Sequence, residues 1–131
     1  MKKTLSFVLM TLLLVVVPAC REKPLWNPGS VAVATSSREH MRNAIDLALR
    51  HRGWAIAKEE PGRVEATLYI RSHVANIAIE YDDKQYNITY LDSQNLKYRK
   101  KADGTERIHG NYNEWIENLV RDISVYASHN P

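Results

Sequence analysis

Hydrophobic positions along this chain follow three rhythms in turn: an unbroken run, a helical spacing and a strict alternation. Residues 5–17 are almost all apolar, a run shorter than the ~20 residues that a membrane-spanning helix needs. From Met41 the apolar positions recur at steps of three and four, through Ala44, Ile45, Ala48 and Leu49. That spacing predicts an amphipathic helix, with Ser36 or Ser37 able to cap its start and Gly53 to end it. Its other face, with Arg38, Arg42, Asp46 and Arg50, is solvated. Beyond Gly53 the period drops to two. Residues 54–59, 64–71, 73–81 and 86–91 alternate apolar with polar and are separated by short turn sequences such as Glu60-Pro61-Gly62-Arg63, which predicts four strands in series, a meander. Residues 31–35 read as a strand before the first helix, and residues 96–98 as a short fifth strand of the meander. The helical spacing then returns at Tyr112, Trp115, Ile116, Leu119, Ile123 and Tyr126, with Asn111 placed as a cap and Glu114 three residues on. The expected class is α+β: an antiparallel four- to five-stranded meander sheet with two amphipathic helices packed on one face. The helices would bury Trp54 and Trp115, leaving the opposite sheet face open.

The apolar run is preceded by Lys2 and Lys3 and followed by Val17-Pro18-Ala19-Cys20, the order of charge, hydrophobic core and small residue that an export signal requires. The tetrapeptide resembles the lipobox of bacterial lipoproteins. In that family the cysteine thiol receives diacylglycerol, cleavage leaves the cysteine as the first mature residue, and further acylation, commonly palmitate, gives three chains. Cleavage by an ordinary signal peptidase, or retention of the run as an anchor, are the alternative readings. On the lipobox reading, residues 1–19 are a signal peptide, Cys20 is the lipid attachment, and the chain is tethered to a membrane. Arg21, rather than an aspartate, follows the cysteine, which resembles the pattern sent to the periplasmic face of the outer membrane. Residues 20–30, with Pro24, Pro28 and Gly29 and little periodicity, read as a lipidated tether. Trp26 either docks back on the domain or sits among headgroups.

The remaining residues, 31–131, are the size of a single domain. The chain has one cysteine, so an anchored Cys20 leaves no disulfide and the fold must hold by its core. The formal charge of +3 falls to +1 once Lys2 and Lys3 are removed. No broad basic footprint remains, which argues against a nucleic-acid partner. The one dense basic cluster, from Lys97 to Lys101, is either a solvated hairpin end or a contact for anionic headgroups or an acidic partner.

The sequence lacks a glycine-rich phosphate cradle, Cys-x-x-Cys, His-Glu-x-x-His and Gly-x-Ser-x-Gly. The expectation is therefore no enzyme, with no catalytic residues, no metal and no cofactor. His73, His109, Glu80, Asp82, Asp83 and Asp92 are the polar residues nearest to chemistry, yet no spacing joins them. His109 reads as a residue hydrogen-bonded to backbone where the last helix begins, and His73 as a turn residue. A hydrolase would first call on Ser72 with His73. Tyr81, Tyr86 and Tyr90 fall in register with apolar neighbours and belong to the core. Tyr69 falls opposite Val64 and Leu68, together with Thr67 and Arg71. A surface of Tyr69, Arg71 and Thr67, with His73 beside it, is the candidate for binding a partner, since it offers a large rigid ring and hydrogen-bonding tips.

Four blocks carry a wider resemblance: residues 66–73, 79–83, 92–96 and 108–115. In these the chain is similar to a family of small uncharacterised Gram-negative envelope lipoproteins. The resemblance implies an envelope location and a common fold, and no mechanism. Two functions fit. One is a membrane-tethered accessory or scaffold domain that binds an envelope protein through its open sheet face or an edge strand. The other is a carrier or sensor of a small envelope ligand, such as a lipid or peptidoglycan fragment, which needs a gap between sheet and helices lined by Tyr86, Ile88 and Trp115. Oligomeric state is not legible in the sequence.

Overall fold

Ser37 starts the first helix as the spacing predicts, its hydroxyl accepting the His40 N–H at 3.0 Å. The computed structural model describes residues 21–129; the segment read as a signal peptide, residues 1–19, and Cys20, read as the lipid attachment, lie outside the described residues. In chain order the elements are β1 (Glu22–Pro24), β2 (Val31–Ala32), α1 (Arg38–His51), β3 (Ala55–Glu60), β4 (Arg63–Ile70), β5 (His73–Tyr81), β6 (Gln85–Gln94), β7 (Arg99–Lys100), β8 (Glu106–His109) and α2 (Gly110–Ser128). The fold is α+β. Gly53 closes α1 with a φ of 79°, a left-handed step that costs a side-chain-bearing residue energy and that glycine takes freely.

The main sheet is antiparallel with strand order β2-β6-β5-β4-β3. Four of its strands are the predicted meander, and α1 carries the chain from one edge to the other. Both helices cover one face. Met41, Ile45 and Leu49 from α1 and Ile116, Leu119 and Ile123 from α2 are fully enclosed with Val64, Ile77, Ile79 and Ile88 of the sheet. Polar fastenings hold the layers in register. The Tyr86 hydroxyl donates to the Val120 carbonyl at 2.9 Å and lies 2.9 Å from the Ser124 hydroxyl. The Arg52 guanidinium grips both carboxylate oxygens of Asp122, at 2.6 and 3.0 Å, joining the end of α1 to α2. That contact holds the Asp122 carboxyl below the usual carboxylate range.

Several expectations are corrected. The strand read over residues 31–35 is only Val31–Ala32, paired to β6 at Tyr86 and Gln85. Residues 96–98 do not add to the meander. Leu96 is instead buried, with its carbonyl accepting the His109 N–H at 2.8 Å, and β7 follows it. β7 belongs to a second, three-stranded sheet of order β1-β8-β7. Both β1 and β8 escaped the periodicity because three or four residues are too few to establish a period. Within the tether read over residues 20–30, residues 22–24 are a strand, with Glu22, Lys23 and Pro24 paired to His109, Ile108 and Arg107. Gly110 permits this approach: a Cβ there would stand 3.2 Å from the Lys23 side chain and 3.4 Å from the Arg21 carbonyl. Trp54 is buried, as expected, but Trp115 is only half-buried against the core.

Candidate functional site

The alternation in β4 buries Val64, Ala66 and Leu68 toward the helices and turns Arg63, Glu65, Thr67 and Tyr69 to the other side. Register then builds the outer face in rows. Arg63, Glu80 and Asn87 form one row, Glu65, Ala78 and Thr89 the next, then Thr67, Asn76 and Asp92, and last Tyr69, Val74 and Gln94. At one end the Arg63 guanidinium bridges Glu80 at 2.6 Å and Glu65 at 3.2 Å. In the middle the Thr67 hydroxyl donates to Asn76 Oδ1 at 2.5 Å, and Asn76 Nδ2 donates to Asp92 Oδ1 at 2.5 Å. Tyr69 stands up at the far end, 70% exposed. Leu91 is the residue left over where the β5–β6 register shifts, so it has no partner across the ladder. It is 40% exposed and lines a shallow depression of about 300 Å³ with Glu65, Thr67, Asn76 and Asp92.

The four residues proposed from sequence are therefore divided. Tyr69 is on the outer face and free. Thr67 is on the same face but buried, its hydroxyl occupied by Asn76. Arg71 is exposed in the β4–β5 turn rather than on a strand, with a φ of 55°. His73 belongs to the opposite side of the sheet: it pairs with Ile70, and its ring centroid is 6.3 Å from that of Trp115 on α2. Leu91, Asn76 and Asp92 were missed as members of the surface. The alternation of residues 86–91 already put Leu91 on the polar face, and that was the available signal.

His73 and Ser72 are both held by Asn95. The His73 Nδ1 lies 2.6 Å from the Asn95 carbonyl, and Asn95 Nδ2 donates to the Ser72 hydroxyl at 2.6 Å. A carbonyl only accepts, so His73 Nδ1 carries the proton in this bond. The pair that a hydrolase would need is thus engaged with Asn95 on both sides. Asn95 has a φ of 57° and nearby Lys97 a φ of 53°, so this corner is built from left-handed residues that are not glycine, which costs about 1–2 kcal/mol each. Among the described residues no group of three or more His, Cys, Asp or Glu side chains is placed to hold a metal ion.

His109 caps α2 in place of the expected Asn111, with its Nδ1 accepting the Asn111 N–H at 3.1 Å. Accepting requires a neutral ring. Burial, the His73 ring 6.0 Å away and the cations Arg21 and Lys97 all push the His109 pKa down, while Glu114 pushes it up. Because the folded value is lower than the unfolded one, stability is full above the ordinary value of ~6.5 and falls as pH drops from there toward the folded value. The expected result is a melting temperature that declines as pH falls below about 6.5. Part of that decline should disappear in His109→Asn, which keeps a cap acceptor without a titration; the cap itself is worth about 1 kcal/mol. Equal declines in both proteins would remove His109 as the cause.

The space that a carrier needs between sheet and helices is filled, since Tyr86 and Ile88 are each 1% exposed and the Tyr86 hydroxyl is bonded to α2. A larger surface cavity, about 680 Å³, lies between β1 and the first turns of α2, against Arg21, Lys23, Trp26, Asn113 and Glu117. No helix among the described residues is long and apolar enough to cross a membrane. No protein-family model matches the chain, and neither a curated protein nor a solved structure matches it.

Proposed function

We propose that this chain is a lipid-anchored accessory domain of the bacterial envelope that binds a protein through the outer face of its main sheet. The observation that carries the reading is the contrast between the two faces of that sheet. One is closed by helices down to 0–1% exposure at Met41, Ile77, Ile88 and Leu119. The other presents Tyr69 and Leu91 around a row of side chains already fixed by their own hydrogen bonds. A rigid aromatic anchor beside pre-ordered polar groups loses little conformational freedom on binding, which favours association. The lipobox resemblance at residues 17–20 supports the anchor, and Arg21 supports the periplasmic side of the outer membrane.

A photo-crosslinking residue placed at position 69 or 91 in intact cells tests the face. The expected result is one dominant protein adduct from both positions, lost when the other position is changed to alanine. Tyr69→Ala should shift stability by less than ~0.5 kcal/mol, as surface substitutions do, so a lost adduct reports recognition. Adducts from the helix face at Leu47 or Val125, with none from positions 69 and 91, would overturn the reading.

A further inference from the structure

The chain next to the proposed lipid attachment has no slack. The Gly110 N–H bonds the Arg21 carbonyl at 2.8 Å, Arg107 reaches the Glu22 carbonyl at 3.0 Å, and the Leu25 N–H reaches the Glu106 carbonyl at 2.9 Å. Asn113 then clamps the chain with both ends of its amide, Nδ2 to the Pro24 carbonyl at 2.9 Å and Oδ1 to the Trp26 N–H at 3.0 Å. Cys20 is one peptide unit from Arg21, ~3.8 Å between Cα atoms. A flexible linker of ten residues would give a mean reach of roughly 17 Å. An acyl group on Cys20 therefore brings the three-stranded sheet itself to the headgroups.

That sheet is where the chain concentrates positive charge. The β1 end supplies Arg21 and Lys23, and the hairpin of β7 and β8 supplies Lys97, Arg99, Lys100, Lys101 and Arg107. Against them stand Glu22, Asp103 and Glu106 on the same sheet, and Glu114 and Glu117 of α2 in the cavity beside Arg21 and Lys23, so this part of the molecule has a formal excess of two positive charges. The rest of residues 20–131 has an excess of one negative charge, with nine cationic and ten acidic side chains. The near-neutral mature chain is thus polarised, and its cationic part adjoins the anchor. Strands of two to four residues rising ~3.3 Å each, set ~4.8 Å apart, keep most of these cations within roughly 15 Å of Arg21. Arg21, Lys23, Lys97, Lys100 and Lys101 are exposed. Trp26, 37% exposed, sits at the same place, and an indole favours the membrane–water interface.

Resting on the lipid anchor proposed above, we propose that the sheet of β1, β8 and β7 is a docking surface for anionic phospholipid headgroups. Arg21, Lys23, Lys97, Lys100 and Lys101 meet the phosphates and Trp26 enters the interface. The domain is then held flat on the membrane in one orientation. Neither cationic segment is adequate alone; pairing of β1 with β8 joins them.

The test uses the full chain purified from membranes, its intact mass recording acylation of Cys20, and reconstituted into vesicles of brominated phosphatidylcholine with or without phosphatidylglycerol. The expected result is quenching of Trp26 fluorescence, assigned by comparison with Trp26→Phe, that depends on phosphatidylglycerol. Quenching should decline with added salt, since the screening length falls from ~10 Å at 0.1 M to ~3 Å at 1 M. Each lysine at the surface should change the docked-to-undocked ratio about fivefold, so Lys97→Glu, Lys100→Glu and Lys101→Glu together should abolish the effect without touching the core. An acylated chain whose quenching ignores phosphatidylglycerol and the three reversals overturns the docking and leaves the anchor standing; the hairpin would then suit an acidic protein. An unacylated Cys20 overturns the anchor, and the docking with it.

Discussion

Replacing Leu119 with alanine should lower the unfolding free energy by about 2–5 kcal/mol, the range for removing a leucine from a packed interior. Leu119 has no exposed surface and lies on α2 between Ile116 and Ile123, at the layer where both helices meet the sheet. Alanine is the best helix former, so the backbone of α2 is not weakened and the loss reports packing alone. Domains of this size are stable by only ~5–15 kcal/mol, so the variant should unfold at a much lower urea concentration with an unchanged slope. Val125, on the same helix and 47% exposed, is the control, and Val125→Ala should fall within ~0.5 kcal/mol of the parent. A loss under 1 kcal/mol at Leu119 would mean that α2 is not an integral part of the core. Trp115→Ala, being a change at a half-buried residue, should cost less than Leu119→Ala.

Cys20→Ala should abolish lipid attachment. Each buried methylene of an acyl chain contributes about 0.8 kcal/mol; one chain holds a protein only reversibly, with an association constant of ~10⁴ M⁻¹, and further chains fix it stably. Without the thiol no acyl chain is added, and the cationic sheet alone is left to hold the domain. The variant should leave the membrane fraction at moderate salt or accumulate as an unprocessed precursor of higher protein mass. Fractionation and intact-mass measurement separate these outcomes from the failure of the reading, which is a variant that stays membrane-bound with the mass of the parent. The fold should be unaffected, because the segment from Arg21 to Trp26 is held by hydrogen bonds that do not involve Cys20.

The sequence by itself determined α1, α2, the four-stranded meander and the identity of nearly all core residues. Each of those elements is long enough to repeat its period several times, and burial on one side alone writes that period. Met41, Ile45 and Leu49, or Val64, Ala66 and Leu68, could hardly be placed otherwise. Tyr69 was also legible as exposed, since a residue out of phase with its buried neighbours faces away from them. Only the tertiary structure decided the second sheet, whose strands of two to four residues have no period and of which β1 owes its pairing to a partner about 85 positions distant. It decided that His73 lies across the sheet from Tyr69, because a two-residue turn with Arg71 in a left-handed conformation sets the phase of β5 relative to β4. It also decided that His109, rather than Asn111, caps α2. The joining of Arg21 and Lys23 with the hairpin cations has the same origin: charge carries no periodicity, and its clustering exists only once β1 has paired with β8.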